Sequence, residues 1–212
     1  MLKLAKQTEV DFLLLGGDLF DEVNPSQKCI FKCLNILNEH IFGEREMNLR
    51  VKGIKPNFSN QNLNISLPIF TIHGNHDYPS NDFGKISVCD LLHTSHHVNY
   101  FGKHLSTSNS KKGTLKPLIF TKEGCSSKLA LYGLGYLKDL RLNEMLRTNQ
   151  LELEQAGNPE EFTNILIIHQ NRFKGKKGGV GAGYENCIHP EYFPEWIDLI
   201  FWCHEHEAIL KI

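Results

Sequence analysis

Apolar runs and amphipathic stripes alternate along this chain. Residues 12–15 form a short apolar run closed by Gly16 and Gly17, the pattern of a buried strand that ends in a turn. Residues 67–72 repeat that form and end in His73 and Gly74. Further strands are expected near residues 98–101, 115–120, 128–132, 164–168 and 199–202. Between the first two runs, Ile30, Cys33, Leu34, Leu37 and Ile41 recur at helical spacing, so a helix to about Phe42 is expected to bury that stripe. Its start reads as Asn24 at the N-cap, Pro25 in the first turn and Gln27 closing a capping box. A second helix is expected over residues 138–147. Strands alternating with helices indicate an α/β fold. Residues 43–66 are polar, rich in Asn and aperiodic, and read as a long excursion from the core. Residues 175–183 hold five glycines, with Lys174, Lys176 and Lys177 beside or among them, and read as a flexible basic surface loop.

Composition narrows this picture. With 212 residues, 41% of them hydrophobic, the chain can bury a substantial core, and a single domain is expected. Lys and Arg number 23 against 24 Asp and Glu, which excludes a domain that grips nucleic acid by bulk positive charge. A phosphate-rich substrate would need local positive charge, from a loop or a bound cation. The 11 histidines point to the second source, because neutral imidazole is a common transition-metal ligand. Six cysteines without a C-x-x-C pair read as reduced thiols. No secretory pattern opens the chain, and no apolar run approaches the roughly 18 residues of a membrane span, so no membrane partner is expected.

Four clusters of ligand-type residues each follow an apolar strand, at the end where α/β sheets place their sites. The first is Gly16-Gly17-Asp18-Leu19-Phe20-Asp21. For a lone Gly-Asp pair, an ordinary strand-to-helix turn would be the better reading. The second is Gly74-Asn75-His76-Asp77, an amide oxygen, an imidazole and a carboxylate on consecutive residues. The third is His169 after residues 165–168, which alone would read as a core histidine. The fourth is Cys203-His204-Glu205-His206-Glu207, where extended chain would set His204 and His206 on one side. In this order, all at strand ends, they point together to one metal site.

The series resembles the calcineurin-like metallophosphoesterases, whose motifs run D-x-H, G-D, G-N-H-D/E, H and G-H-x-H. Within them the chain is similar to the double-strand-break repair nucleases of the meiotic recombination eleven family. The likeness lies in residues 19–26 (Leu-Phe-Asp-Glu-Val-Asn-Pro-Ser), in Asn62-Leu63-Asn64-Ile65-Ser66-Leu67-Pro68 leading into Ile72-His73-Gly74-Asn75-His76-Asp77, in Leu131-Tyr132-Gly133-Leu134-Gly135, in Ile168-His169-Gln170-Asn171-Arg172, and in His204-Glu205-His206-Glu207. It covers nearly the whole chain and implies a β-sandwich flanked by helices around two metal ions, with Mn²⁺ the expected metal. It further implies that Asp18 bridges the ions, that Asn75, His169 and His204 bind the second, and that His206 binds the first. His76 is the implied catalytic histidine, with Asp77 orienting its ring.

Two departures accompany the likeness. The D-x-H motif is not found before Gly16, so the domain over residues 1–212 is expected to lack its first strand and to leave the first metal only Asp18 and His206. The DNA-capping domain that follows in the family is likewise expected to be absent. Cys203 stands where the family has Gly. The implied function is a Mn²⁺-dependent 3′–5′ exonuclease and single-strand endonuclease in the nucleus. The implied partners are DNA, a coiled-coil zinc-hook ATPase and a second copy of the chain, docked through the helices after the G-D and G-N-H-D motifs. The alternatives are another phosphoesterase of the superfamily, or a non-catalytic scaffold.

Overall fold

The computed structural model describes residues 1–80, 84–103, 112–174 and 186–208. Two sheets pack face to face. The first is parallel, in the order β1 (Leu13–Leu15), β3 (Ile69–Thr71), β4 (Asn99–Tyr100). The second is mixed, in the order β10 (Leu199–Trp202), β9 (Thr163–Ile168), β7 (Lys128–Leu134), β6 (Leu118–Lys122), β2 (Leu49–Lys52). Strands β7, β9 and β10 run parallel, while β6 and β2 join as antiparallel neighbours. A short parallel pair, β5 (Gly113–Leu115) with β8 (Leu151–Leu153), lies outside them.

Side-chain parity along the strands assigns the layers. Phe70 and Ile72 of the first sheet's side meet Phe120, Leu131 and Ile167 of the second, with Phe12 stacked on Phe120 at 4.9 Å. The alternate residues face outward. Ile69 meets Leu37 and Ile41 of α2 (Gln27–Ile41) and Leu92 of α3 (Val88–Thr94). Ala130, Tyr132, Leu134, Leu166 and Ile168 meet Leu142 and Met145 of α4 (Asp139–Arg147) together with β5 and β8. The result is the helix-flanked β-sandwich that the resemblance implies. No described helix is long and apolar enough to cross a membrane.

Some expectations are revised. Leu13, Leu14 and Leu15 are half-buried, because β1 is an edge strand paired on one side only. Helix α2 is capped by Ser26, whose hydroxyl accepts from the N–H of Cys29, and not by Asn24. The run at 115–120 divides into β5 and β6 at Lys116-Pro117, where proline has no N–H to give a ladder. The excursion at 43–66 contains β2 and a 3₁₀ turn, Asn57–Ser59. Helix α1 (Leu2–Gln7) and β8 escaped the sequence reading, and α3 entered it only as the helix that the resemblance implies after the G-N-H-D motif, although Ser87 and Asp90 form a capping box that announces it. The glycine-rich segment at 175–183, with Lys176 and Lys177, lies outside the described residues.

Candidate metal centre

Strands β1 and β3 of one sheet and β9 and β10 of the other deliver their carboxyl ends to one place. There the loops after β1 and β3 touch. A Cβ on Gly17 would fall 2.4 Å from the backbone nitrogen of Gly74, and one on Gly74 would fall 2.1 Å from the Asp18 carboxylate. Gly17 and Asp18 both take left-handed backbone, at φ 93° and 52°, which Gly adopts freely and Asp tolerates. This contact lets Asp18 Oδ1 accept the His76 N–H at 2.8 Å, leaving Oδ2 turned inward.

His169, 1% exposed, is the centre of the cluster. Its Nδ1 lies 2.7 Å from the Gly16 carbonyl. A carbonyl only accepts, so Nδ1 carries the proton and Nε2 presents a lone pair. Around that Nε2 stand Asp18 Oδ2, Asn75 Oδ1 and His204 Nδ1, each at 3.1 Å. Lone pairs from two imidazoles, an amide oxygen and a carboxylate thus converge. One proton could serve only a single pair among them, whereas a divalent cation would satisfy all four. Asp18, His169 and His204 form the one group among the described residues whose ligand atoms suit a metal ion, all lying within 4.8 Å of one another. Burial, then the neighbouring His169, holds the His204 imidazole below its ordinary pKa, toward the neutral form a metal needs. These donors fit the divalent cation that the sequence implies, and their oxygen and imidazole chemistry suits Mn²⁺, Fe²⁺ or Zn²⁺.

The other expected site residues behave differently. His76 is half-exposed beside the cluster, and its Nδ1 donates to the Asp21 carbonyl at 2.8 Å, so Nε2 faces outward with a free lone pair. The expectation that Asp77 orients this ring is corrected. The Asp77 carboxylate is fully buried and accepts from the backbone N–H groups of Gly74 (2.6 Å), Leu19 (2.8 Å) and Asp18 (3.2 Å). It clamps the two ligand loops together, and the Asp21 carbonyl orients His76. The expectation that extended chain sets His206 beside His204 is revised. The chain turns at Cys203 and bends again at His206, so strand parity no longer applies, and His206 is exposed and outside the ligand group. Cys203 faces the core: its sulfur would lie 2.3 Å from a Cβ on Gly16, and burial pushes its thiol up to about 11.

Supporting residues went unread in the sequence. Gln170, fully buried, brackets Leu137 through both its N–H and its carbonyl, and also donates to Asp139 at 2.7 Å. Glu205 accepts the Arg172 N–H at 3.0 Å and pairs with Lys174, tying the loop after β10 to the loop after β9. A polar residue flanking each ligand, in Gln170 and Glu205, was the signal available.

Residues 1–208 match the family of calcineurin-like phosphoesterases, and the chain belongs to that family. Among individual proteins it is similar to the double-strand break repair protein MRE11. Identity to the MRE11 of Mus musculus is 38% over 98% of this chain and 29% of that protein. Identity to that of Homo sapiens is 37% over 98% of this chain and 29% of that protein, and to that of Arabidopsis thaliana 35% over 98% and 30%. The chain thus spans about 30% of the length of these relatives.

Proposed function

We propose that the chain is the phosphodiester-cleaving part of a DNA double-strand break repair nuclease. The convergence of Asp18, Asn75, His169 and His204 around one point carries this reading. Similarity to MRE11 proteins supports DNA, rather than a phosphoprotein or nucleotide, as the substrate. The finer proposal is a Mn²⁺-dependent 3′–5′ exonuclease and single-strand endonuclease in the nucleus, with two ions in the complete site. His206 then completes the ligand set, and a coiled-coil zinc-hook ATPase is the partner. A homodimer through α2 and α3 is supported by Phe31 and Ile36 on α2 and Leu91 on α3, all left exposed.

Bound cations would supply an activated water and neutralise charge on the phosphoryl oxygens. Asp18, Asn75, His169 and His204 would hold the cation. Asp77 keeps the two ligand loops in register. His76, anchored through Nδ1 to Asp21, keeps Nε2 at the open side of the centre, where its protonated form can donate to the leaving oxygen.

The test is DNA cleavage by the full-length gene product. End-labelled single-stranded DNA with Mn²⁺ is expected to be cut, and a chelator to stop the cutting. His76→Ala is expected to lower the rate at least about 100-fold while bound metal is retained. Hydrolysis of phosphomonoesters with DNA left intact would favour another phosphoesterase. Metal binding with no hydrolysis of either would favour the scaffold.

A further inference from the structure

Two tyrosines beside the metal centre belong to none of the three hydrophobic core clusters. Tyr78 follows Asp77 and is 39% exposed. Tyr136 follows β7 and is half-buried. Their ring centroids lie 6.5 Å apart at 63°. The Tyr136 ring also lies 6.4 Å from that of His169 and 6.3 Å from that of His204. Aromatic surface therefore runs from the metal-binding imidazoles out to solvent at Tyr78.

Tyr136 is braced from beneath. Its N–H donates to the His73 carbonyl at 3.0 Å, and its own carbonyl lies 3.3 Å from His73 Nε2. Because that carbonyl only accepts, Nε2 carries the proton, and His73 Nδ1 receives the Tyr100 hydroxyl at 2.7 Å. His73 is 5% exposed, so the brace is set in the core. Neither Tyr78 nor Tyr136 has a hydroxyl hydrogen bond among the described residues, so core packing and hydrogen bonding leave both rings unexplained.

We propose that Tyr136 and Tyr78 form a stacking shelf for a nucleobase of the strand whose phosphate is held at the metal centre. This rests on the phosphodiesterase reading and adds to it a subsite for the base. Stacking on an aromatic face tolerates every base, because each presents a π surface. It also suits a chain whose charges nearly cancel, since stacking needs no added cation. A phosphopeptide would instead be gripped by arginines or lysines, whereas the ring contacts of these tyrosines among the described residues are with imidazoles and each other.

The test is binding of a fluorescent oligothymidylate and of an abasic strand of the same length, with Mn²⁺, in a His76→Ala background that leaves the strands intact. Tyr136→Ala is expected to weaken oligothymidylate binding about tenfold, and Tyr136→Phe to stay within about twofold of the parent, since the π face remains. Tyr78→Ala, on an exposed loop and safe for folding, is expected to weaken it about threefold. Abasic-strand binding and Mn²⁺ affinity are expected to be unchanged in all three. Unchanged oligothymidylate binding in Tyr78→Ala and Tyr136→Ala overturns the shelf and leaves the phosphodiesterase reading standing. An equal loss for both strands overturns it too, by reducing the tyrosines to scaffolding. Failure of the parent to bind either strand overturns both readings.

Discussion

The Asp77 carboxylate is withdrawn from water and compensated by N–H groups of Gly74, Asp18 and Leu19, so its role is to fix the positions of other residues. Asp77→Ala would leave those donors buried and unpaired. It is expected to cost about 3 kcal/mol of stability and to weaken Mn²⁺ binding, read by thermal unfolding and calorimetric titration. Unaltered metal affinity would show that the loops hold their register without it. Cys203 provides a second check. With its thiol pushed up to about 11 and turned into the core, it is expected to react with an alkylating reagent at pH 8 far behind the exposed Cys29 and Cys125. Mass-spectrometric peptide mapping reads the order, and early labelling of Cys203 would place its sulfur outside the core. At this scale the residues that converge around His169 were legible, since each cluster follows an apolar run. The contacts that anchor Asp77 and His76 were not. They depend on backbone atoms 55 to 59 residues away in sequence, brought near by the contact of Gly17 with Gly74.

Among the elements, legibility followed the length of the apolar pattern. Strands β7, β9 and β10 and helix α2 were found close to their observed bounds, because each carries a sustained apolar run or stripe. Strand β2 was missed because its sequence, Leu-Arg-Val-Lys, sits inside a polar excursion. Strand β8, Leu-Glu-Leu, is too short to show a period. The start of α2 was misplaced because Asn24, Pro25 and Ser26 all suit a helix entrance, and only the hydrogen bond from Cys29 selects Ser26. Ser26→Ala is therefore expected to cost about 1 kcal/mol, and Asn24→Ala much less. Ile41, fully buried at the end of α2, is expected to cost about 2–5 kcal/mol on truncation to Ala. Denaturant titration of the three variants gives the ranking, and a larger loss for Asn24→Ala would restore the cap to that residue.

For the whole molecule, the sandwich brings four strand ends from two sheets to a single point, and no one segment could have revealed that meeting. Its helical flank leaves Phe31, Ile36 and Leu91 in water, although the stripe from Ile30 to Ile41 faces the core as expected. If these helices pair with a second copy, Phe31→Asp is expected to shift a concentration-dependent dimer toward monomer in analytical ultracentrifugation. A monomer at every concentration would remove the dimer from the proposal. The most direct measurement of the central claim is a calorimetric Mn²⁺ titration of the metal-free protein and of its His169→Ala variant, with circular dichroism to establish that both are folded. The expected result is chelator-reversible tight binding in the parent, with the loss of one tight ion per chain in the variant. Undiminished tight binding in folded His169→Ala would contradict the assignment of the converging ligands around His169.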